Sequence, residues 1–139
     1  GCCNYANIAV SQSAPAAHRW CHRSRSGRPK PRVVLSVLGD RDGTTCDWEF
    51  LNIVGDTLKG FGYRVRINDP YKGVEIVRRH GRPDIGRNSL QIEINRALYM
   101  NEETFERTPY YATLKTHLSE LIEVVGDYAL GCAGAKAAE

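Results

Sequence analysis

Short strand-like apolar runs and helix-spaced apolar positions alternate along residues 32–130. Residues 33–38 form a nearly continuous apolar run, which is typical of a strand covered on both faces in a parallel sheet. Residues 63–67 alternate apolar and basic side chains, and residues 90–94 alternate apolar and polar ones. Such alternation indicates strands with one polar face. The sequence therefore predicts three strands.

Two longer helices are predicted between and after these strands. The first follows a polar loop at residues 39–46, with Thr44 or Asp47 as its N-cap. Its apolar positions are Trp48, Leu51, Val54, Leu58 and Phe61. The second begins at Thr108 and Pro109, because Thr caps helices and Pro fits the first helical position. Its apolar stripe, which packs most simply against the sheet, comprises Tyr111, Leu114, Leu118, Leu121, Val125 and Tyr128.

Strands that alternate with helices are typical of an α/β fold with a mostly parallel sheet. Three strands make a small sheet whose edges are left exposed. Either further strands have been lost from the N-terminal side, or the sheet pairs with another chain. Self-association through an exposed sheet edge is therefore one expected partner interaction.

The composition fits one soluble domain. The chain has 139 residues, of which 42% are apolar, and no apolar run approaches the roughly 18–20 residues that cross a bilayer. We therefore expect no membrane association. Residues 1–31 are rich in Ser, Pro, Arg and Gly and are predicted to form an irregular, basic head that is disordered or out of its structural context. Residues 32–130 form the predicted α/β domain, and residues 131–139 form a tail.

Positive charge is concentrated at the start of the chain. Residues 1–39 hold six basic side chains and no acidic one. A basic segment can bind nucleic acid by neutralising phosphates. No aromatic side chain is interleaved among the charges of residues 22–31 for stacking on bases, so a solvated tail is favoured over a nucleic-acid interface. A non-catalytic α/β binding domain with a nucleic-acid-binding head is the alternative interpretation of the whole chain.

The cysteines indicate a reducing compartment. There are five, an odd number, and none form a C-x-x-C pair, which argues against a disulfide framework or a closed zinc ribbon. The first 20 residues contain no apolar stretch typical of a secretory signal. We therefore expect a cytoplasmic protein.

A carboxylate lies between two amide side chains on the third predicted strand. Gln91, Glu93 and Asn95 occupy alternate positions, so all three point to one face while the apolar residues point to the other. If the polar face lines a cleft, the amides can orient Glu93 for general acid–base catalysis. Otherwise the segment is an edge strand with a wet face.

The loop at residues 39–44 and one histidine are further candidates. The two glycines of the loop allow its backbone to approach a ligand closely. Arg41 can bind a carboxylate through two parallel hydrogen bonds, and the alternative is that Asp40 and Arg41 pair inside the loop. The loop does not match a Walker-type phosphate loop. His22 is a candidate metal ligand, with a non-ligating tail residue as the alternative.

Four segments of the chain are distinctive as a set. They are LGDRDGTTC at residues 38–46, NDPYKG at 68–73, HGRP at 80–83 and LQIEINRALYM at 90–100. In order and spacing they resemble the N-formylglutamate amidohydrolase family, and the last segment is the most specific. The resemblance extends over residues 37–125 and corresponds to the C-terminal half of the family.

This resemblance implies a metal-dependent hydrolase with a three-layer α/β/α fold like that of zinc carboxypeptidases and aspartoacylase. The substrate would be N-formyl-L-glutamate, an N-acyl amino acid that is cleaved to formate and L-glutamate in histidine breakdown. Glu93 would activate a zinc-bound water and pass its proton to the departing amine. Arg41 and Arg96 would bind the substrate's carboxylates, and Asn68 and Tyr71 would place its amide or oxyanion.

The metal ligands of the family lie in the half that has no counterpart here. His22 is the one candidate ligand that this chain offers in their place. The composition around it is unlike a strand end. We therefore expect a fragment or a frame-shifted product with impaired activity, whose residues before about 32 have no evolved function.

We predict that the chain binds zinc poorly, because an open catalytic zinc site takes three protein ligands and the sequence offers a single candidate. Titration of the purified chain with zinc chloride in a calorimeter should give no stoichiometric complex. A tight one-to-one complex would contradict this prediction.

Overall fold

The computed structural model describes the backbone of residues 5–13 and 34–135 and the side chains of residues 37–131. The strands are β1 (Tyr5–Ser13), β2 (Val34–Gly39), β3 (Arg64–Ile67) and β4 (Arg87–Asn95). The helices are α1 (Trp48–Gly60), α2 (Glu75–His80) and α3 (Tyr111–Ala135), with 3₁₀ turns at Pro83–Ile85 and Arg96–Leu98. Within these ranges, no helix has the length and apolar character that crossing a membrane requires.

The described strands form one mixed sheet in the order β1-β4-β2-β3. The outer pairs, β1 with β4 and β2 with β3, are parallel. The central pair, β2 with β4, is antiparallel. The α/β class is therefore confirmed, and two of the three strand pairs are parallel as expected, but the sheet is mixed because β1 and β4 run opposite to β2 and β3.

The connection between β3 and β4 accounts for this reversal. It occupies residues 68–86, and its α-helix, α2, has only six residues. A helix of six residues rises about 9 Å, whereas a nine-residue strand such as β4 extends about 30 Å. α2 is too short to carry the chain back along the length of the sheet. β4 therefore begins at the end of the sheet where β3 finishes, and it runs in the opposite direction.

The head that was predicted to be irregular contains a strand. β1 pairs with β4 over its whole length, from Tyr5 opposite Arg87 to Ser13 opposite Asn95. The prediction for residues 1–31 is therefore wrong at these positions, because this ladder is a tertiary interaction that local periodicity does not record. Residues 14–33, which hold the basic side chains of the head, lie outside the described residues.

The last helix is longer than the sequence predicted. α3 reaches Ala135, so residues 131–135 of the predicted tail are helical. Its apolar stripe is confirmed by the burial of Leu114, Leu121 and Val125. The predicted cap, Thr108, instead donates its hydroxyl to the carbonyl oxygen of Leu98.

The hydrophobic core lies between one face of the sheet and the helices α1 and α3. Its buried residues include Leu90, Ile92 and Ile94 of β4, Phe50, Val54 and Leu58 of α1, and Leu114, Leu121 and Val125 of α3. Trp48, which was predicted to face this core, is 76% exposed. Phe50, Val54 and Leu58 repeat every four residues, and Trp48 lies about 200° around the helix from Phe50. The sequence pattern thus identified the helix but placed Trp48 on the wrong face.

Asp47 connects α1 to the sheet. Its carboxylate accepts a hydrogen bond from the backbone N–H of Phe50 at 2.7 Å, so it is the N-cap that the sequence left open between Thr44 and Asp47. The side-chain amide of Asn88 on β4 donates to the same carboxylate at 2.8 Å, and its oxygen accepts from the backbone N–H of Asp47 at 2.8 Å. The cap therefore also fixes the start of α1 against β4.

We expect Asp47→Ala to lower the free energy of unfolding by about 2–3 kcal/mol, since it removes the cap and leaves the buried Asn88 amide without its partner. Urea unfolding followed by circular dichroism measures the change. The control is Asp56→Ala, whose exposed carboxylate pairs with Lys59 and should contribute less than about 0.5 kcal/mol. Equal effects of the two substitutions would contradict the expectation.

We also expect Cys46 to resist alkylation in the folded chain. Burial raises the pKa of its thiol to about 12, and the carboxylates of Asp40 and Asp47 add to this effect. An unfolded thiol titrates near pH 8.5, so the stability conferred by the protonated Cys46 is complete below that pH and is lost as the pH rises toward the folded value. Iodoacetamide at about pH 9, followed by mass spectrometry of the Cys46 peptide, should show modification only in urea. Rapid modification of the folded chain would contradict this.

Candidate active site

Two loops meet where the parallel strands β2 and β3 end. Asp40 directly follows β2, is 3% exposed, and accepts hydrogen bonds from the Asn68 amide at 2.6 Å and the Gly43 backbone N–H at 3.0 Å. In return the Asn68 side-chain oxygen accepts the backbone N–H of Asp40 at 3.1 Å. This reciprocal pair, which we call the Asp40–Asn68 clasp, holds the two loops together.

The clasp stabilises unusual backbone conformations. Arg41, Asp42 and Asn68 have φ angles of 54°, 58° and 55°, in the left-handed region that residues other than glycine rarely adopt. Such strained residues persist where the surrounding structure holds them in place, and they cluster at binding and catalytic sites. Two of the candidate substrate-binding residues, Arg41 and Asn68, are in this group.

Arg41 contacts the second loop rather than its neighbour Asp40. Its guanidinium Nη1 donates to the carbonyl oxygen of Gly73 at 3.3 Å. Its backbone N–H donates to the carbonyl oxygen of Lys72 at 2.7 Å. The carboxylate of Asp40 binds the clasp partners instead, so the proposed pairing of Asp40 with Arg41 is not what the structure contains. Tyr71 lies in the same loop and is exposed.

The polar face of β4 is buried, which excludes the wet edge strand as an interpretation. β4 has neighbours on both sides, and Gln91 and Glu93 are 1% and 8% exposed. The Gln91 amide donates to the Glu93 carboxylate, and its oxygen accepts the backbone N–H of Val74 at 2.7 Å. Asn95 instead accepts from the backbone N–H of Ala97 at 3.0 Å. Only one of the two predicted amides therefore orients Glu93 by a direct contact.

Arg96 lies at the other end of the sheet. Gln91 pairs with Gly39 at the end of β2, whereas Ile94 pairs with Ser36 near its start. At about 3.3 Å per residue, the backbone of Arg96 is about 16 Å along the chain from that of Gln91. Arg96 therefore lies at the opposite end of the sheet from Arg41 and Asn68, because the carboxyl ends of antiparallel strands lie at opposite ends of a sheet. Its Nε atom is buried and has no hydrogen-bond partner among the described residues.

The glycine of the HGRP segment, Gly81, has a structural role that the sequence did not reveal. A Cβ atom on Gly81 would lie 2.5 Å from the backbone oxygen of Thr45, so only glycine fits there. The Thr45 hydroxyl donates to the Ser89 carbonyl at 2.8 Å, and Ser89 donates its N–H back to Thr45 at 2.8 Å. His80 is exposed at the end of α2. A single glycine in a loop sequence gives no local signal for such a contact.

The residues expected to hold a metal are not brought together by the described part of the chain. His22 lies outside the described residues. Within the described side chains, no group of three or more His, Cys, Asp or Glu residues could hold a metal ion. The described residues therefore do not fit a zinc site.

A cavity of about 310 Å³ lies elsewhere, where β3 starts and α3 begins. Its lining residues are Gly62, Tyr63, Ala97, Leu98, Thr108, Pro109 and Tyr110. None of the candidate catalytic or substrate-binding residues is among them.

Comparison with known proteins supports the motif-based interpretation. The model of the N-formylglutamate amidohydrolase family matches residues 7–100. The solved structure of an N-formylglutamate amidohydrolase from Ralstonia eutropha JMP134 is similar, with 43% sequence identity and a TM-score of 0.70. The similarity covers 89% of this chain and 42% of that one. A search of curated proteins finds no match.

The family match differs in extent from the motif-based resemblance at residues 37–125. It begins within β1, before the first motif, and it ends at Met100, ahead of α3. It includes the Asp40–Asn68 clasp, Arg41, Tyr71, and the whole of β4 with Glu93 and Arg96. The chain belongs to the N-formylglutamate amidohydrolase family.

Proposed function

We propose that the chain carries substrate-binding and proton-transfer residues of a hydrolase that cleaves N-formyl-L-glutamate to formate and L-glutamate. The observation that supports this most is Glu93, a carboxylate that is only 8% exposed and is held by Gln91 on an internal strand of the family-matched region. The chain spans 42% of the length of the solved relative, so the activity of that whole protein is a proposal for this chain.

In the proposed reaction Glu93 acts as general base and then as general acid. It accepts a proton from water as the water oxygen bonds to the formyl carbon. When the bond between that carbon and nitrogen breaks, Glu93 gives the proton to the departing amine. The cleaved acyl group leaves as formic acid, which loses its remaining proton to solvent to give formate; L-glutamate leaves as well, and the carboxylate is regenerated. Its burial supports this role because a water-poor surrounding strengthens electrostatic interactions with the reacting groups.

Arg41 and Asn68 would bind the substrate beside Glu93. The contact of Arg41 with Gly73 uses one N–H of a guanidinium that carries five, so the side chain can also bind a carboxylate. The clasp uses one of the two N–H groups of the Asn68 amide, and the second can donate to the formyl oxygen. Tyr71 would contribute its hydroxyl from the same loop.

Arg96 would bind the second carboxylate of the substrate. Along β4, Glu93 lies between Arg96 and the end of the sheet that carries Arg41. N-formyl-L-glutamate has two carboxylates at opposite ends, which suits two arginines on opposite sides of the reacting group. The buried Nε of Arg96, unpartnered among the described residues, supports the same assignment because buried donors normally find an acceptor.

The finer features implied by the resemblance remain part of the proposal. They are the three-layer architecture of the zinc carboxypeptidases and aspartoacylase, zinc dependence, a place in histidine breakdown, and a cytoplasmic location. Since no group of described residues fits a zinc site, zinc dependence would require ligands from elsewhere, and no step above uses a metal.

We expect Glu93→Gln to lower the release of formate from N-formyl-L-glutamate by at least about 100-fold, because the amide cannot accept the proton. The rate is measured by coupling formate to the reduction of NAD in the presence of formate dehydrogenase. Binding of the substrate, followed in ¹H–¹⁵N spectra of the chain, should change by less than about threefold because the shape of the side chain is conserved.

The control is Glu123→Gln, which neutralises an exposed carboxylate on α3 and should leave both measurements unchanged. Equal rates for the wild type and Glu93→Gln would overturn the role of Glu93. A wild-type chain that neither binds N-formyl-L-glutamate nor releases formate would overturn the proposed function.

A further inference from the structure

We propose that Gln91 is a positioning residue for Glu93, and that the Gly73–Val74 peptide unit connects it to Arg41. The inference rests on the proposed function in that Glu93 is taken as the proton-transfer group. The connection itself consists of hydrogen bonds from Arg41 to Gly73, from Val74 to Gln91 and from Gln91 to Glu93. It joins the substrate-binding end of the sheet to the middle of β4.

The orientation of the Gln91 amide follows from its surroundings. Its oxygen accepts the backbone N–H of Val74 at 2.7 Å. A backbone N–H can only donate, so the oxygen must face Val74 and the amide N–H groups must face away from it. The N–H groups therefore donate toward Glu93, whose ionised carboxylate can only accept. With 1% of its side chain exposed, Gln91 is fixed in this orientation.

The peptide unit between Gly73 and Val74 makes the second connection. Its carbonyl oxygen accepts from the Arg41 guanidinium at 3.3 Å, and its N–H donates to Gln91. Each donor in the series points toward the next group, from Arg41 through the peptide unit and Gln91 to Glu93. Hydrogen bonds that are aligned in this way polarise one another, which strengthens each of them. One aligned series thus runs from a guanidinium to a carboxylate.

Two glycines make this arrangement sterically feasible. Gly39 is the residue of β2 that pairs with Gln91, and a Cβ atom on it would lie 2.6 Å from the backbone nitrogen of Gly73. Gly73 has a φ of 102°, and a Cβ atom on it would lie 2.8 Å from a methyl group of Val77. The absence of both Cβ atoms lets the segment at residues 72–74 lie against the end of β2, within reach of Gln91.

This geometry gives Gln91 a role that burial alone does not explain. An apolar side chain of similar size could fill the same space between β4 and the segment at residues 72–74. It could neither accept from Val74 nor donate to Glu93. A carboxylate ligand on Arg41 would act on the same series of hydrogen bonds that holds Glu93. Binding at Arg41 and the orientation of Glu93 are thereby linked.

The first experiment needs no activity. In the ¹⁵N-labelled 139-residue chain, the Gln91 side-chain amide should give one strongly downfield proton, and Glu93→Ala should remove that downfield shift. Arg41→Met should change the Gln91 amide signals and increase hydrogen exchange at the Val74 N–H several-fold. The matched control is Arg79→Met, which removes an exposed positive charge on α2 and should change neither signal. If Glu93→Ala leaves the Gln91 signal unchanged, or if Arg41→Met behaves like Arg79→Met, the proposal is wrong.

The second experiment measures the consequence for catalysis. Gln91→Met should lower kcat for N-formyl-L-glutamate by about 10- to 100-fold, since a misplaced catalytic group costs about this much. KM should change less than about threefold, because Gln91 does not touch the substrate in the proposed reaction. Gln91→Glu keeps an acceptor for Val74 and should preserve the protection of that N–H, but it loses the donor to Glu93 and should also lower kcat.

The outcomes separate this inference from the proposed function. Wild-type kcat in both Gln91 variants would overturn the positioning role while leaving the proposed function intact. A chain that lacks binding and hydrolysis altogether would overturn the proposed function, and the spectra would still decide whether Gln91 donates to Glu93 and responds to Arg41. A loss of activity in Gln91→Met that merely follows a fall in the unfolding midpoint, with Gln91→Glu fully active, would also contradict the proposal.

Discussion

The burial of β4 on both faces is the constraint on which the rest of the structure depends. A polar side chain on a strand that is buried on both faces cannot reach solvent, so it normally needs a partner within the protein. Three partners of β4 are loop groups: Asp47 binds Asn88, Thr45 binds the backbone of Ser89, and Val74 binds Gln91. These contacts determine where the loops after β2 and β3 lie. Side chains on both faces of this strand, together with its backbone, therefore organise the loops that carry the candidate site.

Local patterns predicted the elements well because each depends on short-range physics. The stripe of α3 repeats at helical spacing whichever tertiary structure surrounds it, and Asp47 caps α1 through a bond to Phe50, three residues away. The ladder between β1 and β4 joins residues about 80 positions apart, from Tyr5 opposite Arg87 onward. No local periodicity records such a pairing. The direction of β4 likewise depends on the course of the connection before it, which alternation within the strand does not show.

The candidate site was predictable in its residues but not in its contacts. Alternation along β4 shows that Gln91 and Glu93 share a face, yet it does not distinguish a face covered by a loop from one exposed to water. Similarly, the sequence places Asp40 beside Arg41, whereas the structure pairs it with Asn68, 28 positions away. Sequence proximity is a poor guide here because the left-handed backbone of the loop turns successive side chains in different directions.

The reversal of β4 changes what the candidate site can recognise. In an all-parallel sheet, Arg41 after β2 and Arg96 after β4 would both lie at the end of the sheet that carries the carboxyl ends of the strands. Glu93, within β4, would then lie on the same side of both arginines along the strand direction. In the mixed sheet the two arginines lie on opposite sides of Glu93 along the strand direction. A ligand that contacts both must therefore extend past the carboxylate and carry an anionic group at each end, with the reacting bond between them. In the proposed reaction a single carboxylate could satisfy only one of these arginines, so the proposed roles of Arg41 and Arg96 would favour dicarboxylates over simpler N-acyl amino acids.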